Sequence, residues 1–199
     1  MSPGPALAGE VVLTTERMVL RRFTPADADL LVELDSDPAV MHFITGGRPS
    51  PRAEVVEQVL PCWLGHYETY AGYGFFAAQD RTGGAFLGWL HLRPGEGDGP
   101  DEPELGYRLR RSAWGQGLAT EGSCALVDAA FAEHGAGRVS AETMVVNTAS
   151  RRVMEKAGLV LVRTFWQPWP DRIEGDEQGD VEYELRRADW AARHTARPE

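Results

Sequence analysis

A glycine-containing stretch at residues 114–121, Trp-Gly-Gln-Gly-Leu-Ala-Thr-Glu, directly follows a strand-like run at 104–109. This pattern is typical of a turn that leads from a strand into a helix. The first turn of a helix has unpaired N–H donors and a partial positive charge, so a bound anion is stabilised there. Glycine lets a ligand approach the backbone because it has no Cβ. Positive charge is added just upstream by Arg108, Arg110 and Arg111.

The stretch at 114–121 therefore predicts a phosphate-binding loop, with a tightly packed helix start as the simpler alternative. Two common phosphate motifs do not fit it. The dinucleotide fingerprint G-x-G-x-x-G needs a glycine three residues after Gly117, whereas the next glycine is Gly122. A loop ending in Gly-Lys-Ser or Gly-Lys-Thr does not occur in the sequence.

The strand at 104–109 places its side chains alternately on two faces of a sheet. One face carries Glu104, Gly106, Arg108 and Arg110, and the other carries Leu105, Tyr107 and Leu109. Glu104 is thereby expected at the end of the sheet near the predicted loop. A carboxylate with a pKa of about 4.3 is a poor base for an ammonium group unless burial raises that pKa or water relays the proton.

The elements that position these residues follow from hydrophobic periodicity and from turn residues. Strands are predicted at 19–23, 74–79, 85–92, 104–109, 139–144, 160–165 and 181–185. Helices are predicted to begin at Thr24 and to span 52–70, 116–133 and 147–157. We expect Pro61 to kink the second helix, because proline has no N–H, and Asn147 to cap the fourth.

A second motif covers residues 147–159, which read Asn-Thr-Ala-Ser-Arg-Arg-Val-Met-Glu-Lys-Ala-Gly-Leu. Together with the 114–121 loop, it resembles the GCN5-related N-acetyltransferase (GNAT) superfamily and, within it, the RimJ/RimL-like branch. Trp-Gly-x-Gly-x-Ala-Thr-Glu is a common pyrophosphate loop in that branch, although Trp114 departs from the Arg or Gln of the wider superfamily. Leu159 stands where the second motif usually has Phe. The order of elements also agrees, and the resemblance covers residues 14–190.

The resemblance implies an α/β (α+β) GNAT fold with a central mixed, mostly antiparallel twisted sheet. That sheet would have about six to seven strands, flanked by about four helices. The expected domain is 14–190, with an N-terminal tail at 1–13 and a C-terminal tail at 191–199. Acetyl-CoA would be the co-substrate, without a metal. Its expected contacts are Tyr107, Arg108, Leu109, Arg110, Trp114, Gly115, Gln116, Gly117, Leu118, Ala119, Thr120, Asn147, Ser150 and Arg151.

In similar enzymes the residues matching Glu104 and Ser150 are proposed to act in catalysis. Glu104 would be the general base, directly or through water, and a surface strand residue is the alternative. Ser150 would donate a hydrogen bond or relay a proton to the departing thiolate, whereas capping of its helix is the alternative. A backbone N–H at 107–109 would stabilise the oxyanion. The alternative to an enzyme is a non-catalytic acyl-CoA-binding sensor module.

The chain has 199 residues and a formal net charge of −10, which disfavours a nucleic-acid partner and suits a cationic acceptor. The acceptor would be a small amine or a protein N-terminus. Its predicted border is the segment 166–180, which contains aromatic residues and the carboxylates of Glu174, Asp176, Glu177 and Asp180. An exposed acidic loop is the alternative.

The cellular context is inferred from what the composition lacks. No apolar run approaches the about 20 residues of a membrane helix, so no membrane association is expected. Residues 1–9 do not have the pattern of a signal peptide, which favours a cytoplasmic location. Cys62 and Cys124 match no metal or redox spacing and are expected to be buried free thiols. Exposed edge strands near the C-terminus make a homodimer plausible.

Overall fold

The protein is described by a computed structural model that covers residues 9–95, 97, 99–167 and 172–195. Its strands are β1 Val11–Thr14, β2 Met18–Arg22, β3 Gly74–Asp80, β4 Phe86–Pro94, β5 Pro103–Leu109, β6 Arg138–Met144, β7 Val160–Phe165 and β8 Asp180–Arg186. They form one sheet in the order β1-β2-β3-β4-β5-β6-β8-β7. Across the described residues, neighbouring strands are antiparallel except β5 and β6, which are parallel. The predicted mixed sheet is confirmed, with eight strands instead of six to seven.

The helices are α1 Ala28–Asp35, α2 His42–Thr45, α3 Arg52–Glu54, α4 Leu60–Thr69, α5 Leu118–Ala132, α6 Thr148–Lys156 and α7 Arg187–Thr195. A π-helical turn, Val55–Val59, joins α3 to α4. The helix predicted over 52–70 is thus one run with an irregular middle, and Pro61 lies in the first turn of α4, where its missing N–H costs little. Helices α2 and α7 were not predicted. The burial expected for the two free cysteines is also wrong, because Cys62 on α4 is exposed and Cys124 on α5 is only partly buried.

Parts of the two expected tails belong to a strand and to a helix. Strand β1 pairs with β2 and begins at Val11, inside the predicted tail at 1–13. Strand β1 has only four residues, which are too few for its sequence to show the alternation of a strand. It is a strand because it pairs with β2, which follows it after a turn. Helix α7 extends to Thr195, inside the predicted tail at 191–199. It is held where Trp190 packs against Phe131 of α5, with ring centroids 5.5 Å apart.

The sheet separates two hydrophobic cores. One core lies beneath α5 and α6 and includes Leu105 and Leu109 of β5. The other lies beneath α1 and the 52–69 helix and is rich in aromatic residues. In that second core Trp63 stacks on Phe75, with ring centroids 4.1 Å apart. Leu105, Tyr107 and Leu109 of β5 thus face the first core, whereas the opposite face of this strand is only partly buried.

Candidate active site

The sheet opens between its two parallel strands. Strands β5 and β6 share one register pair, Glu104 with Ser140, and no further pair of these strands is found among the described residues. Strand β5 remains fully paired with β4 on its other side, from Gly88 and Leu109 to Pro94 and Pro103. Beyond Glu104, the backbone edge of β5 that faces β6 is available to a ligand, because it lacks ladder partners there.

The loop after β5 has the geometry of an anion site. A short 3-10 turn, Arg111–Ala113, precedes Gly115 and Gly117, whose φ angles are +72° and +78°. Side chains rarely adopt these angles, which explains glycine at both positions. Gly117 is the N-cap of α5, and no side chain caps this helix. The N–H groups of its first turn, at Leu118, Ala119 and Thr120, therefore remain available to an external acceptor.

Two side chains stabilise this loop from within. The indole Nε1 of Trp114 donates to the carbonyl oxygen of Leu109 at 2.8 Å, although the Trp114 side chain is half exposed. The amide Nε2 of Gln116 donates to the carbonyl oxygen of Ser112 at 2.7 Å. Trp114 thus ties the loop back to the last residue of β5.

The arginines around the loop are paired with carboxylates of the α1 segment. Arg108 lies 2.6 Å from Asp35, Arg110 lies 2.8 Å from Glu33, and Arg111 lies 3.3 Å from Asp37. From the sequence, these three arginines were expected to concentrate positive charge at the phosphate. The structure corrects this point, because each charge has an opposite charge beside it. The three pairs instead join α1 to the end of β5.

Helix α6 begins on the opposite side of the sheet opening. Asn147 is its N-cap, as predicted, and its Oδ1 accepts a hydrogen bond from the N–H of Ser150 at 3.2 Å. The Asn147 Nδ2 donates to Thr143 of β6 at 3.1 Å. Arg151 is directed away from this cap, since its Nε donates to the Tyr183 hydroxyl at 3.0 Å and its Nη1 to the carbonyl oxygen of Val145 at 3.1 Å.

Tyr107 connects the two sides of the opening. Its hydroxyl lies 2.9 Å from both the carbonyl oxygen and the Oγ of Ser150. Burial raises the pKa of Tyr107 well above its ordinary value, and the hydrogen bond with Ser150 offsets only part of this effect. The phenol therefore stays protonated at neutral pH. Tyr107 was predicted from the sequence to contact the cofactor, and its contact with Ser150 was not predicted.

Glu104 and Ser150 lie on opposite sides of β5. Leu105, Tyr107 and Leu109 face the core beneath α5 and α6, so Glu104 projects from the other face, as the alternation predicts. There, Arg93 of β4 places its Nη2 3.3 Å from the Glu104 carboxylate. The two candidate catalytic residues therefore do not meet directly. They flank the strand whose edge opens toward β6. The prediction that Glu104 lies near the glycine loop is wrong, because Glu104 is at the start of β5 and the loop follows the other end of that strand.

A second carboxylate, Glu142 on β6, lies on the same face as Glu104. Burial, followed by the charges of Glu104 and Glu182, raises the pKa of Glu142 above its ordinary value. No sequence motif singled out this residue. The signal that could have found it is its position two residues after Ser140, the register partner of Glu104.

The predicted acceptor segment is only partly described, because residues 168–171 lie outside the described residues. Trp166 is 69% exposed, and its Nε1 donates to the carbonyl oxygen of Glu177 at 3.3 Å. Asp176 pairs with Arg172 at 3.0 Å, whereas Asp180 is buried. A Cβ placed on Gly46 would lie 3.8 Å from the carbonyl oxygen of Arg172, so the 41–48 loop reaches this segment.

Comparison with known proteins was decisive for the family. A protein-family model described as "Acetyltransferase (GNAT) domain" matches residues 17–160 of this chain. "FsC-acetyl coenzyme A-N(2)-transacetylase" of Aspergillus fumigatus is 34% identical over 191 residues, which cover 92% of this chain and 80% of that protein. The chain belongs to the GNAT acetyltransferase family. The family predicted from the two motifs is confirmed, and the protein is an acetyl-CoA-dependent N-acetyltransferase.

Solved structures share this GNAT fold. An acetyltransferase of the GNAT family from Bacillus anthracis aligns with a TM-score of 0.71 and 22% identity, over 88% of this chain and 98% of that one. RimL, a ribosomal L7/L12 α-N-protein acetyltransferase in complex with coenzyme A, also aligns with a TM-score of 0.71. Its identity is 20%, over 89% of this chain and 98% of that one.

Across the described residues, no helix is both long and apolar enough to cross a membrane.

GNAT acetyltransferases use acetyl-CoA, and the residues at the sheet opening fit that molecule. The uncapped start of α5 offers N–H donors suited to a diphosphate, and the unpaired edge of β5 offers backbone groups suited to an amide-containing arm. The bound molecule supplies the acetyl group as a thioester. Its precise contacts in this chain, including those of Arg108, Arg110 and Arg151, stay predictions.

Proposed function

We propose that the enzyme transfers the acetyl group directly from acetyl-CoA to a primary amine while both substrates are bound. The observation that carries this proposal is the opening between β5 and β6, with the uncapped α5 on one side and the Tyr107–Ser150 contact on the other. In this proposal the thioester approaches the opening from one face of β5 and the amine approaches it from the other face.

Each residue then has a limited task. Glu104, directly or through water, takes a proton from the ammonium group, with Glu142 beside it as a second carboxylate of raised pKa. A backbone N–H of β5 at 107–109 donates to the developing oxyanion. Ser150, held by Tyr107, donates a hydrogen bond to the thiolate as the carbon–sulfur bond breaks. The ammonium group gives up two protons in all. The first passes through Glu104 to solvent, and the second, lost from nitrogen as the carbon–nitrogen bond forms, is balanced by the proton that the departing thiolate gains.

We also propose that the acceptor carries positive charge beyond the reacting amine. The support is the Glu142 carboxylate, which lies on the same face as Glu104 and Glu182. Those two are paired with Arg93, Arg138 and Arg163, whereas Glu142 has no ion pair within the described residues. The predicted acceptor segment adds the exposed carboxylates of Glu174 and Glu177. The name of the Aspergillus relative, an N(2)-transacetylase, agrees with a nitrogen acceptor.

The test is a thiol-release assay over small amines and peptides with free N-termini. It pairs each diamine with the monoamine of the same chain length. We expect the diamine to have the lower KM, by about threefold to tenfold, and added salt to reduce the difference. In Glu142→Gln the difference should shrink, whereas in the control Asp29→Asn, which alters an exposed carboxylate of α1, it should persist. A preference for acidic acceptors would refute the charge proposal.

A further inference from the structure

The first turn of α5 contains a carboxylate where an anion is expected. Glu121 follows Gly117 by four residues, and its N–H donates to the Gly117 carbonyl oxygen at 2.9 Å. A free carboxylate at this position would repel a diphosphate bound at the start of the helix. The surroundings of Glu121 therefore decide whether the loop can hold an anion.

A turn between β1 and β2 saturates this carboxylate. The Thr15 hydroxyl donates to Oε1 at 2.5 Å, and the Arg17 N–H donates to the same oxygen at 2.8 Å. The Arg17 Nε donates to Oε2 at 2.6 Å. Burial alone would raise the pKa of Glu121, but these bonds and the Arg17 charge outweigh it, so the pKa is lowered. Glu121 is therefore ionised and its charge is compensated by Arg17.

The same Arg17 side chain also binds the glycine loop. Its Nη1 donates to the carbonyl oxygen of Gln116 at 2.8 Å. Its Nη2 lies 3.6 Å from the point that a Cβ of Gly117 would occupy, and it has no hydrogen-bond partner among the described residues. The Arg17 side chain is 44% exposed. One face of the guanidinium thus holds the loop, and the remaining N–H donors face the N-cap of α5.

We propose that Arg17 is a ligand of the acetyl-CoA diphosphate and that the Thr15–Arg17–Glu121 contact holds the loop in its binding conformation. This inference rests on the proposed function, because it takes acetyl-CoA as the donor. The guanidinium suits this task, since its planar N–H groups can bind a carboxylate, a carbonyl and a phosphate oxygen at once. Like Arg108, Arg110 and Arg111, Arg17 has a carboxylate beside it, so its contribution to the diphosphate is a free N–H donor at the N-cap of α5 and not an added net charge.

The test compares two acetyl donors, of which only one carries the 3′-phospho-ADP part of CoA and therefore the diphosphate. S-acetylpantetheine carries the same thioester as acetyl-CoA but has no phosphate. In Arg17→Ala we expect the KM for acetyl-CoA to rise by about tenfold or more, with kcat within about twofold. The KM for S-acetylpantetheine should not change. Arg17→Lys, which keeps the charge, should recover part of the loss for acetyl-CoA, and calorimetry should show the same order of affinities for CoA.

Arg81→Ala is the matched control. Arg81 donates to the carbonyl oxygens of Thr15 and Glu16 at 3.3 and 3.4 Å, so it contributes an equal charge to the same turn without contacting the glycine loop. Its KM for acetyl-CoA should stay within about twofold of that of the wild type. Should Arg17→Ala unfold, Glu121→Gln and Arg17→Lys keep the comparison of donors possible.

Equal losses for both donors in Arg17→Ala would overturn the proposal and leave Arg17 as a structural clasp. An unchanged KM for acetyl-CoA would overturn it as well. A wild-type protein that binds CoA, more weakly in Arg17→Ala, but acetylates no amine would contradict the proposed function while supporting this site.

Discussion

The Tyr107 hydroxyl lies 2.9 Å from both the Oγ and the carbonyl oxygen of Ser150, which links the middle of β5 to the first turn of α6. A phenol has one proton to donate. If it goes to the carbonyl oxygen, the Ser150 hydroxyl can donate to the phenol oxygen or to a ligand in the opening. Tyr107 is therefore suited to orient Ser150, and its raised pKa keeps that proton in place.

The first prediction concerns this contact. Ser150→Ala should lower kcat by about 100-fold, because the thiolate loses its donor, while the KM for acetyl-CoA changes little. Tyr107→Phe should lower kcat by about threefold to tenfold, since it removes one hydrogen bond that orients Ser150. The double variant should be no slower than Ser150→Ala, as steady-state kinetics can show.

Tyr73→Phe serves as the control for Tyr107→Phe. The Tyr73 hydroxyl donates to the carbonyl oxygen of Pro100 at 2.7 Å, away from the sheet opening, so kcat should remain at the wild-type value. If Tyr107→Phe slows the Ser150→Ala background as much as it slows the wild type, Tyr107 acts independently of Ser150.

The second prediction tests the loop with two glycines of equal backbone geometry. Gly117 has a φ of +78° and Gly135, after the end of α5, has a φ of +79° with open space around its Cβ position. Alanine at either position should cost about 1–2 kcal/mol of stability, because both need a left-handed backbone. Only Gly117→Ala should also weaken acetyl-CoA binding, by about tenfold, as measured by calorimetry. Equal affinities in the two variants would contradict the loop as the phosphate site.

The third prediction uses pH. The pKa of Glu142 is raised above its ordinary value of 4.5 by burial and by Glu104 and Glu182, so ionised Glu142 destabilises the fold at neutral pH. Glu142→Gln should therefore raise Tm at pH 7–8 and leave it unchanged below about pH 4, where the carboxyl is protonated in both the folded and unfolded states.

Glu184 on β8 provides a control of opposite sign. Burial would raise its pKa, but hydrogen bonds from Arg186 and Arg138 lower it overall. Its ionised form therefore stabilises the fold above its unfolded pKa, and that stability is lost as the pH falls through the folded pKa. Glu184→Gln should lower Tm at neutral pH and have little effect in acid. The same sign for both variants would refute the assigned electrostatics.

The fourth prediction compares a buried and an exposed ion pair. Arg21 and Asp27 form two hydrogen bonds of 2.7 and 2.8 Å, with both side chains almost fully buried. Asp27→Asn should cost about 3–5 kcal/mol of unfolding free energy, because it leaves a buried guanidinium without its counter-charge. Asp29→Asn breaks an exposed pair with Arg52 and should cost less than about 1 kcal/mol. Urea denaturation measures the unfolding free energy of both variants. Similar losses in the two variants would show that burial does not determine the cost of breaking the pair.

The sequence predicted what depends on local pattern. The N-cap role of Asn147, the two faces of β5 and the glycine loop before α5 are all confirmed, because each depends on a few consecutive residues. The pairing partners of charged residues could not be predicted in this way. Arg17 and Glu121 are 104 positions apart, and Arg108 and Asp35 are 73 apart. Such contacts arise only when the sheet brings distant turns together.

Direct transfer to a primary amine is tested most directly by mass spectrometry with isotopically labelled acetyl-CoA. Enzyme, labelled acetyl-CoA and a cationic amine are mixed. The masses of the intact protein, the amine and the CoA are measured after a fraction of one turnover and again after many turnovers. We predict labelled amide on the amine nitrogen, free CoA in equal amount, and no labelled protein at either time. Labelled protein that passes its acetyl group to the amine, or bound acetyl-CoA with no amide formed on any amine, would contradict the account.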